Sequence, residues 1–215
     1  MKRSGLVITA MFIITAMLQA ADWTPIAVKL AKSVVYIEST RGSLKASCTG
    51  FIINSDVKRK NEDDQDYVLT AQHCEGEKVF ADHEVAQVVW KDSHSDLLVL
   101  AIADTGRPAL TISENDPKQG QEIGSFGHGY GLEKPMFRHA YVSNASIDIP
   151  DEEGGPFVMI DAAYVGGQSG GPCINDKGEV VSIVQAASNL VGIGIGAERI
   201  RGKVGKYLEK PKAKP

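Results

Sequence analysis

The sequence predicts an all-β protein built as two antiparallel barrels that share a groove. Ten short β-rich runs fall into two sets of five, at residues 34–38, 48–53, 67–70, 85–90 and 97–102, then 121–126, 139–147, 157–163, 179–185 and 191–196. Glycine, proline, asparagine and aspartate punctuate them, as the turns of antiparallel sheet require. Between the sets lie Asp104-Thr105-Gly106-Arg107-Pro108 and Ser113-Glu114-Asn115-Asp116-Pro117, which read as a linker. A chain of 215 residues suits one large all-β unit or two small barrels. The gap between the sets favours two, the first spanning about residues 34–103 and the second about 118–197.

Taken in order, residues 1–21 carry Lys2 and Arg3, then an almost wholly apolar run from Leu6 to Leu18, then Gln19-Ala20-Ala21. This is the layout of a secretory signal peptide cleaved after Ala20 or Ala21. The apolar run is short of the ~20 residues that span a bilayer, so no stable membrane association is expected after cleavage. Without Lys2 and Arg3 the chain keeps 21 basic against 27 acidic residues, a net charge of −6, which gives a nucleic-acid partner no support. Ile26, Leu30 and Ala31 suggest a short helix over 23–33 packed on the first barrel. Ile200, Val204, Tyr207 and Leu208 fall on one face of a second helix over 198–209, and the lysine- and proline-rich 210–215 reads as a disordered tail. Residues 58–66 hold four carboxylates in the five positions from Glu62. They lack the glycine and spaced ligands of a calcium loop and read as a solvated hairpin tip.

The chemistry is concentrated in Gly166-Gly167-Gln168-Ser169-Gly170-Gly171-Pro172. A catalytic serine must sit on a tight, exposed turn beside a base and beside donors for a developing oxyanion. Flanking glycines permit positive φ and close approach of a carbonyl, so the amides of Gly167 and Ser169 can point at one oxygen. At average residue frequencies these fixed positions arise by chance in such a chain with a probability on the order of 10⁻⁴. A base is offered by His73, at the exit of the apolar run Tyr67-Val68-Leu69-Thr70-Ala71, and a carboxylate by Asp96, at the mouth of Leu97-Leu98-Val99-Leu100-Ala101-Ile102. Asp92 is its rival but is not followed directly by a buried run. His83, His94, His128 and His139 read as surface or loop residues, and no pair of them has a zinc-type spacing.

With these segments in the order His, Asp, Ser, the chain resembles the chymotrypsin-like serine proteases, closest to the HtrA-type and bacterial trypsin-like branch. Ile160-Asp161-Ala162-Ala163, Gly178-Glu179-Val180-Val181 and Gly192-Ile193-Gly194-Ile195 extend the likeness across nearly all of the chain after residue 21. The resemblance implies two six-stranded barrels over residues 22–209, with the active site in the cleft between them and no appended peptide-binding PDZ module. It implies a serine endopeptidase acting on protein or peptide substrates through Ser169, His73 and Asp96, with the amides of Gly167 and Ser169 as oxyanion hole and no cofactor or metal. It also implies a disulfide between Cys48 and Cys74, which leaves Cys173 unpaired.

In such enzymes the pocket for the residue before the cut has its base six positions ahead of the serine, here Ala163, with walls from Val184-Gln185-Ala186-Ala187 and Gly192-Ile193-Gly194. Ala163, Gln185 and Ala186 make an apolar slot of modest size, implying cleavage after Val, Ala or Leu. A Lys or Arg side chain would be buried there unpaired. Gln168 departs from the digestive members, which carry an aspartate before the serine, and Gln72 stands where the family usually has a small residue. A non-catalytic peptide-binding barrel, or an esterase with the same triad, are the competing readings.

Overall fold

The computed structural model describes residues 22–57, 64–150, 152–187 and 190–208. The expected signal peptide, most of the charged 58–66 stretch and the expected tail therefore lie outside the described residues. Of the described residues of that stretch, 64–66, Asp66 departs from the expected solvated tip: it is fully buried in the strand Gln65–Ala71, and its Oδ2 accepts hydrogen bonds from the amide and hydroxyl of Thr105.

The first unit holds strands β1 (Val34–Arg41), β2 (Leu44–Val57), β3 (Gln65–Ala71), β4 (Lys78–Ala81), β5 (Glu84–Val85), β6 (Gln87–Asp92) and β7 (Leu97–Ala103). They form one antiparallel sheet in the order β5-β4-β1-β2-β3-β7-β6. Here a closed six-stranded barrel was expected, and the ladder is instead seven-stranded and open. Its edges β5 and β6 are separated in sequence by Ala86 alone, so the sheet must curl until one broken run serves both edges. The second unit is a closed barrel of β8 (Glu122–Gly127), β9 (Met136–Ile147), β10 (Phe157–Ile160), β11 (Pro172–Ile174), β12 (Val180–Ala187) and β13 (Gly192–Gly196), in the order β10-β13-β12-β11-β8-β9.

The continuous apolar runs follow from burial on both faces of a strand, whose side chains alternate sides. Val68, Leu98 and Leu100 point into the first unit with Ile37 and Ile52. Their neighbours Leu69, Leu97 and Val99 join Phe51 and Ile53 in a separate cluster with Phe126, Ile174, Ile183 and Ile195 of the second unit. That cluster is the seam between the units. Each such side chain contributes about 1.5–3 kcal/mol when fully buried, so the groove lies on a firm seam rather than a hinge. The second barrel is filled by Ile123, Ala140, Val142, Val158, Ile160, Val181 and Val184.

Helix α1 (Thr24–Leu30) starts with proline in its first turn and runs on as a 3₁₀ turn to Ser33. It docks on the second unit rather than the first. The ring centroid of Trp23 lies 6.1 Å from that of Phe137 and 5.5 Å from that of His139, and Ile26 and Leu30 cover Gly178. The apolar face of the helix indicated that it was covered, without indicating by which barrel. Helix α2 (Ala197–Val204) buries Ala197, Ile200 and Val204 and gives way to a 3₁₀ turn, Gly205–Tyr207. This end crosses the other way. The Tyr207 ring meets Tyr67 edge-on at 5.4 Å, its carbonyl accepts from Asn54 Nδ2 at 3.1 Å, and Lys203 pairs with Asp92 at 2.6 Å.

Candidate active site

The end of β3 and the start of β7 are neighbours in the sheet, Ala71 opposite Leu97. This register brings His73 and Asp96 together. The chain leaves β3 in a 3₁₀ turn, Gln72–Cys74, whose first amide donates to Asp96 O at 3.0 Å. Asp96 has φ +48°, a left-handed conformation that aspartate tolerates better than most residues. Its Oδ1 accepts from the His73 amide and its Oδ2 faces His73 Nδ1, each at 2.8 Å. With Nδ1–H donated to the carboxylate, Nε2 is the free acceptor. The Asp96 side chain is 11% exposed and that of His73 is 47% exposed, so the acid is sheltered and the base is open to the groove. Asp92 is engaged elsewhere: its carboxylate takes Lys203 and the His94 amide. The Lys203 bond is the main influence holding its carboxyl below the ordinary range.

Ser169, from the second unit, lies beside Cys74, the neighbour of His73. Its carbonyl accepts from Thr49 N at 2.8 Å and lies 4.0 Å from Cys74 Sγ. Cys74 is joined to Cys48 by a disulfide beside the His73 ring. These are the only clustered metal-type donors among the described residues, and disulfide sulfurs are not thiolate ligands. The Ser169 hydroxyl rests 3.5 Å from Gln185 O rather than on His73 Nε2. A resting bond of this kind is common where the productive one tightens only with substrate. Gly170, at φ +82°, lets the turn press on the first unit, because a Cβ there would fall on Thr49 O and Thr70 Oγ1.

The serine turn is held from three sides. Thr49, fully buried, donates its hydroxyl to Gly167 O at 2.7 Å and accepts from His128 N at 2.8 Å. Tyr130 N donates to Gly166 O at 2.8 Å. Because the N–H of a trans peptide points opposite its C=O, that bond turns the Gly167 amide away from Tyr130. Gln168, 1% exposed, closes the turn by accepting from Val165 N at 2.8 Å through Oε1, while its own amide donates to Val165 O. The amides of Gly167 and Ser169 donate to no protein acceptor among the described residues. Both amides are therefore free to donate.

Two histidine and cysteine placements complete the site. His83, His94 and His139 are surface residues beside Glu133, Glu153 and Glu122. His128 does not fit the surface expectation: it is 2% exposed beneath the oxyanion turn, with Nδ1 2.8 Å from Leu132 O. Burial holds its imidazole below the ordinary value. Cys173 is free and fully buried, and burial pushes its thiol up to about 12.

Around the slot, Ala163 and Gln185 are half-buried and Ala186 is exposed. Asp161 is exposed and accepts from Tyr141 N, so it stays outside the slot. Thr49, Tyr130 and Tyr164 were not singled out in the sequence, and His128 was named there only as a surface or loop residue. Only the Gly-x-Gly spacing around Tyr130 signals a specialised turn.

Known proteins resemble the chain in sequence and in fold. A family model described as the trypsin-like peptidase domain matches residues 48–183. A curated protein of Hahella chejuensis, described as a probable periplasmic serine endoprotease, DegP-like, is 31% identical over 153 residues, which is 66% of this chain and 30% of that protein. The chain thus spans about 30% of the length of that relative. A serine endoprotease from Yersinia pestis superposes with a TM-score of 0.72 at 21% identity, over 88% of this chain and 67% of that one. The Rv3671c protease from M. tuberculosis, in its active form, superposes at 0.69 with 24% identity over 88% and 87%. Both structural likenesses bear on the fold.

Proposed function

The chain belongs to the trypsin-like peptidase family, and from that premise we propose that it is an exported, periplasmic serine endopeptidase of the HtrA/DegP type. The observation that carries this reading is the two-point clamp of Asp96 on His73, set beside a serine turn seated on Thr49 and Thr70. The Ser169 hydroxyl turns from Gln185 O to His73 Nε2, which takes its proton as Oγ attacks the scissile carbonyl. Asp96 fixes the tautomer and stabilises the imidazolium. The carbonyl oxygen, now anionic, receives the amides of Gly167 and Ser169. The C–N bond breaks as His73 returns the proton to the departing amine, leaving an acyl-enzyme. Water, deprotonated by the same imidazole, releases the acid and restores Ser169. The step uses no group beyond these residues and water.

The slot built from Ala163, Gln185 and Ala186 supports cleavage after small or medium aliphatic residues in extended or unfolded chains. A fluorophosphonate probe should label the purified protein once, at Ser169 by mass mapping, and should not label His73→Ala. A folded wild-type protein that takes up no probe would overturn the peptidase reading. Digestion of a denatured proteome should show cuts after Val, Ala or Leu, and a roughly tenfold preference for Lys or Arg would refute the apolar slot.

A further inference from the structure

We infer that reducing the Cys48–Cys74 bridge creates a zinc site, in which Cys48, Cys74 and His73 hold the metal and the base is withdrawn from Ser169. That zinc inhibits rests on the peptidase reading above; that it binds does not. The ligand atoms are already gathered: both Sγ atoms and a ring nitrogen of His73 lie within 4.8 Å of one another. Two cysteines and one histidine form a known zinc set that leaves a fourth position open, with Zn–S about 2.3 Å and Zn–N about 2.0–2.1 Å. A tetrahedron of that size sets its ligand atoms roughly 3.6–3.8 Å apart. The nitrogen therefore needs to close in by about 1 Å, and the freed sulfurs to part by rotating their side chains over a Cα separation of 6.1 Å.

The imidazole is already oriented for a metal. Its Nδ1 faces Asp96 Oδ2 at 2.8 Å, so Nε2 is the nitrogen free to ligate. A histidine ligand whose other nitrogen donates to a carboxylate is the usual arrangement at zinc. The Nε2 lone pair that zinc takes is the one that accepts the Ser169 proton, so metal and reaction compete for it. The His73 side chain is 47% exposed, while Cys48 and Cys74 are 6% and 1% exposed, so the metal arrives from the imidazole side. The bridge is what keeps it out. A dithiol reductant gives two electrons to the S–S bond, becomes a disulfide itself and leaves two thiols, each of which loses its proton as Zn²⁺ binds. An exported chain carries these thiols only before its bridge forms. The zinc form is thus an off state of the unoxidised chain, and oxidation releases it.

The test uses the full chain with Cys173→Ser, which removes the one other cysteine, oxidised or reduced by a phosphine. Cobalt(II) should give sulfur-to-metal charge-transfer absorption in the reduced protein and none in the oxidised one. Zinc should displace the cobalt. Asp96→Asn should weaken zinc binding by about 10–100-fold, as loss of a carboxylate behind a histidine ligand does, and His73→Ala by at least as much. Fluorophosphonate labelling of Ser169 should slow tenfold or more when zinc is added to the reduced protein, recover with a chelator, and be indifferent to zinc in the oxidised one. If reduction alone unfolds the chain, zinc should restore its native circular dichroism, because metal binding is then coupled to folding. Reduced protein that shows no charge-transfer band, binding unchanged by His73→Ala, or zinc that slows the oxidised and reduced forms equally would overturn the inference. Failure of the oxidised protein to label at Ser169 would strike the peptidase reading instead, and the cobalt spectrum would still decide the metal site.

Discussion

Replacing Thr49 by valine probes how the first unit positions the oxyanion turn of the second. The substitution conserves volume and removes one hydroxyl from a fully buried site. That hydroxyl serves two groups, as donor to Gly167 O at 2.7 Å and acceptor from His128 N at 2.8 Å. Both would be stranded without water. Each stranded buried group costs about 1–3 kcal/mol, and a small apolar gain offsets little of it, so the sum is about 3 kcal/mol. In a domain of this size about 1 kcal/mol moves Tm by roughly 2–4 °C, which predicts a fall of about 6–12 °C by thermal circular dichroism. The Thr49 amide still holds Ser169 O, so the serine stays in place while the Gly167 peptide loosens. Losing one well-aimed oxyanion donor costs about 10²–10³ in rate, and a loosened one should cost about 10-fold or more in fluorophosphonate labelling. Thr49→Ser keeps the hydroxyl and should stay near wild type in both measures. Equal Tm values and labelling rates for the valine and serine variants would refute the reasoning.

Ser169→Ala and His73→Ala should each abolish peptidase activity in a folded protein, and the double variant should be no slower than either, because they disable one unit; a much slower double would show independent roles. Burial disfavours the imidazolium of His128 in the folded protein, whereas an unfolded chain protonates it below about pH 6.5. Its contribution to stability is thus complete above about pH 6.5 and is lost as the pH falls through the acid range. Thermal melts between about pH 5 and 7 should therefore slope less in His128→Asn, and equal slopes would remove His128 from the acid response. Thiol titration in denaturant should count one reactive cysteine before reduction and three after. Opening the Cys48–Cys74 loop should cost about 3.5 kcal/mol in a denaturant melt, and an unchanged midpoint would contradict that. Gly170→Ala, at φ +82° and with no room over Thr49 O, should lose Ser169 labelling, and wild-type labelling would mean that the turn is not seated as described.

Much of this was legible because chemistry and fold leave signals of different length. The serine turn is announced by five glycine, serine and proline positions, and His73 and Asp96 by the long apolar runs they terminate. Strands β4 and β11, of four and three residues, are too short to show a period, so each set appeared as five runs where the topology needs a sixth. The break at Ala86 is invisible because residues 85–90 read as one run. Thr49 sits in a strand where threonine is an ordinary β-former, so its double hydrogen bond has no local sign. His128 lies among glycines, which suggest a surface turn. Its partners are the Leu132 carbonyl, four residues on, and the Tyr36 ring of the first unit, and the second contact is made only once both units are assembled. Tyr164 beside Ala163 reads as one more apolar residue, and its contact with Gly192 is made from across the barrel.

The crossed attachment of the two ends has a topological consequence. Each half of the chain carries a terminal segment that binds the other half: α1 precedes the first unit and sits on the second, while the 3₁₀ turn that follows α2 sits on the first. Neither half is therefore a self-sufficient folding unit, and the pair should melt as one cooperative species. The exposed stretch at Asp104, Thr105 and Gly106 is the natural place to nick. Cutting there would leave two fragments that clasp one another reciprocally, with His73 and Asp96 on one and Ser169 on the other. The active site would then report directly on complementation, present only when the halves have found each other.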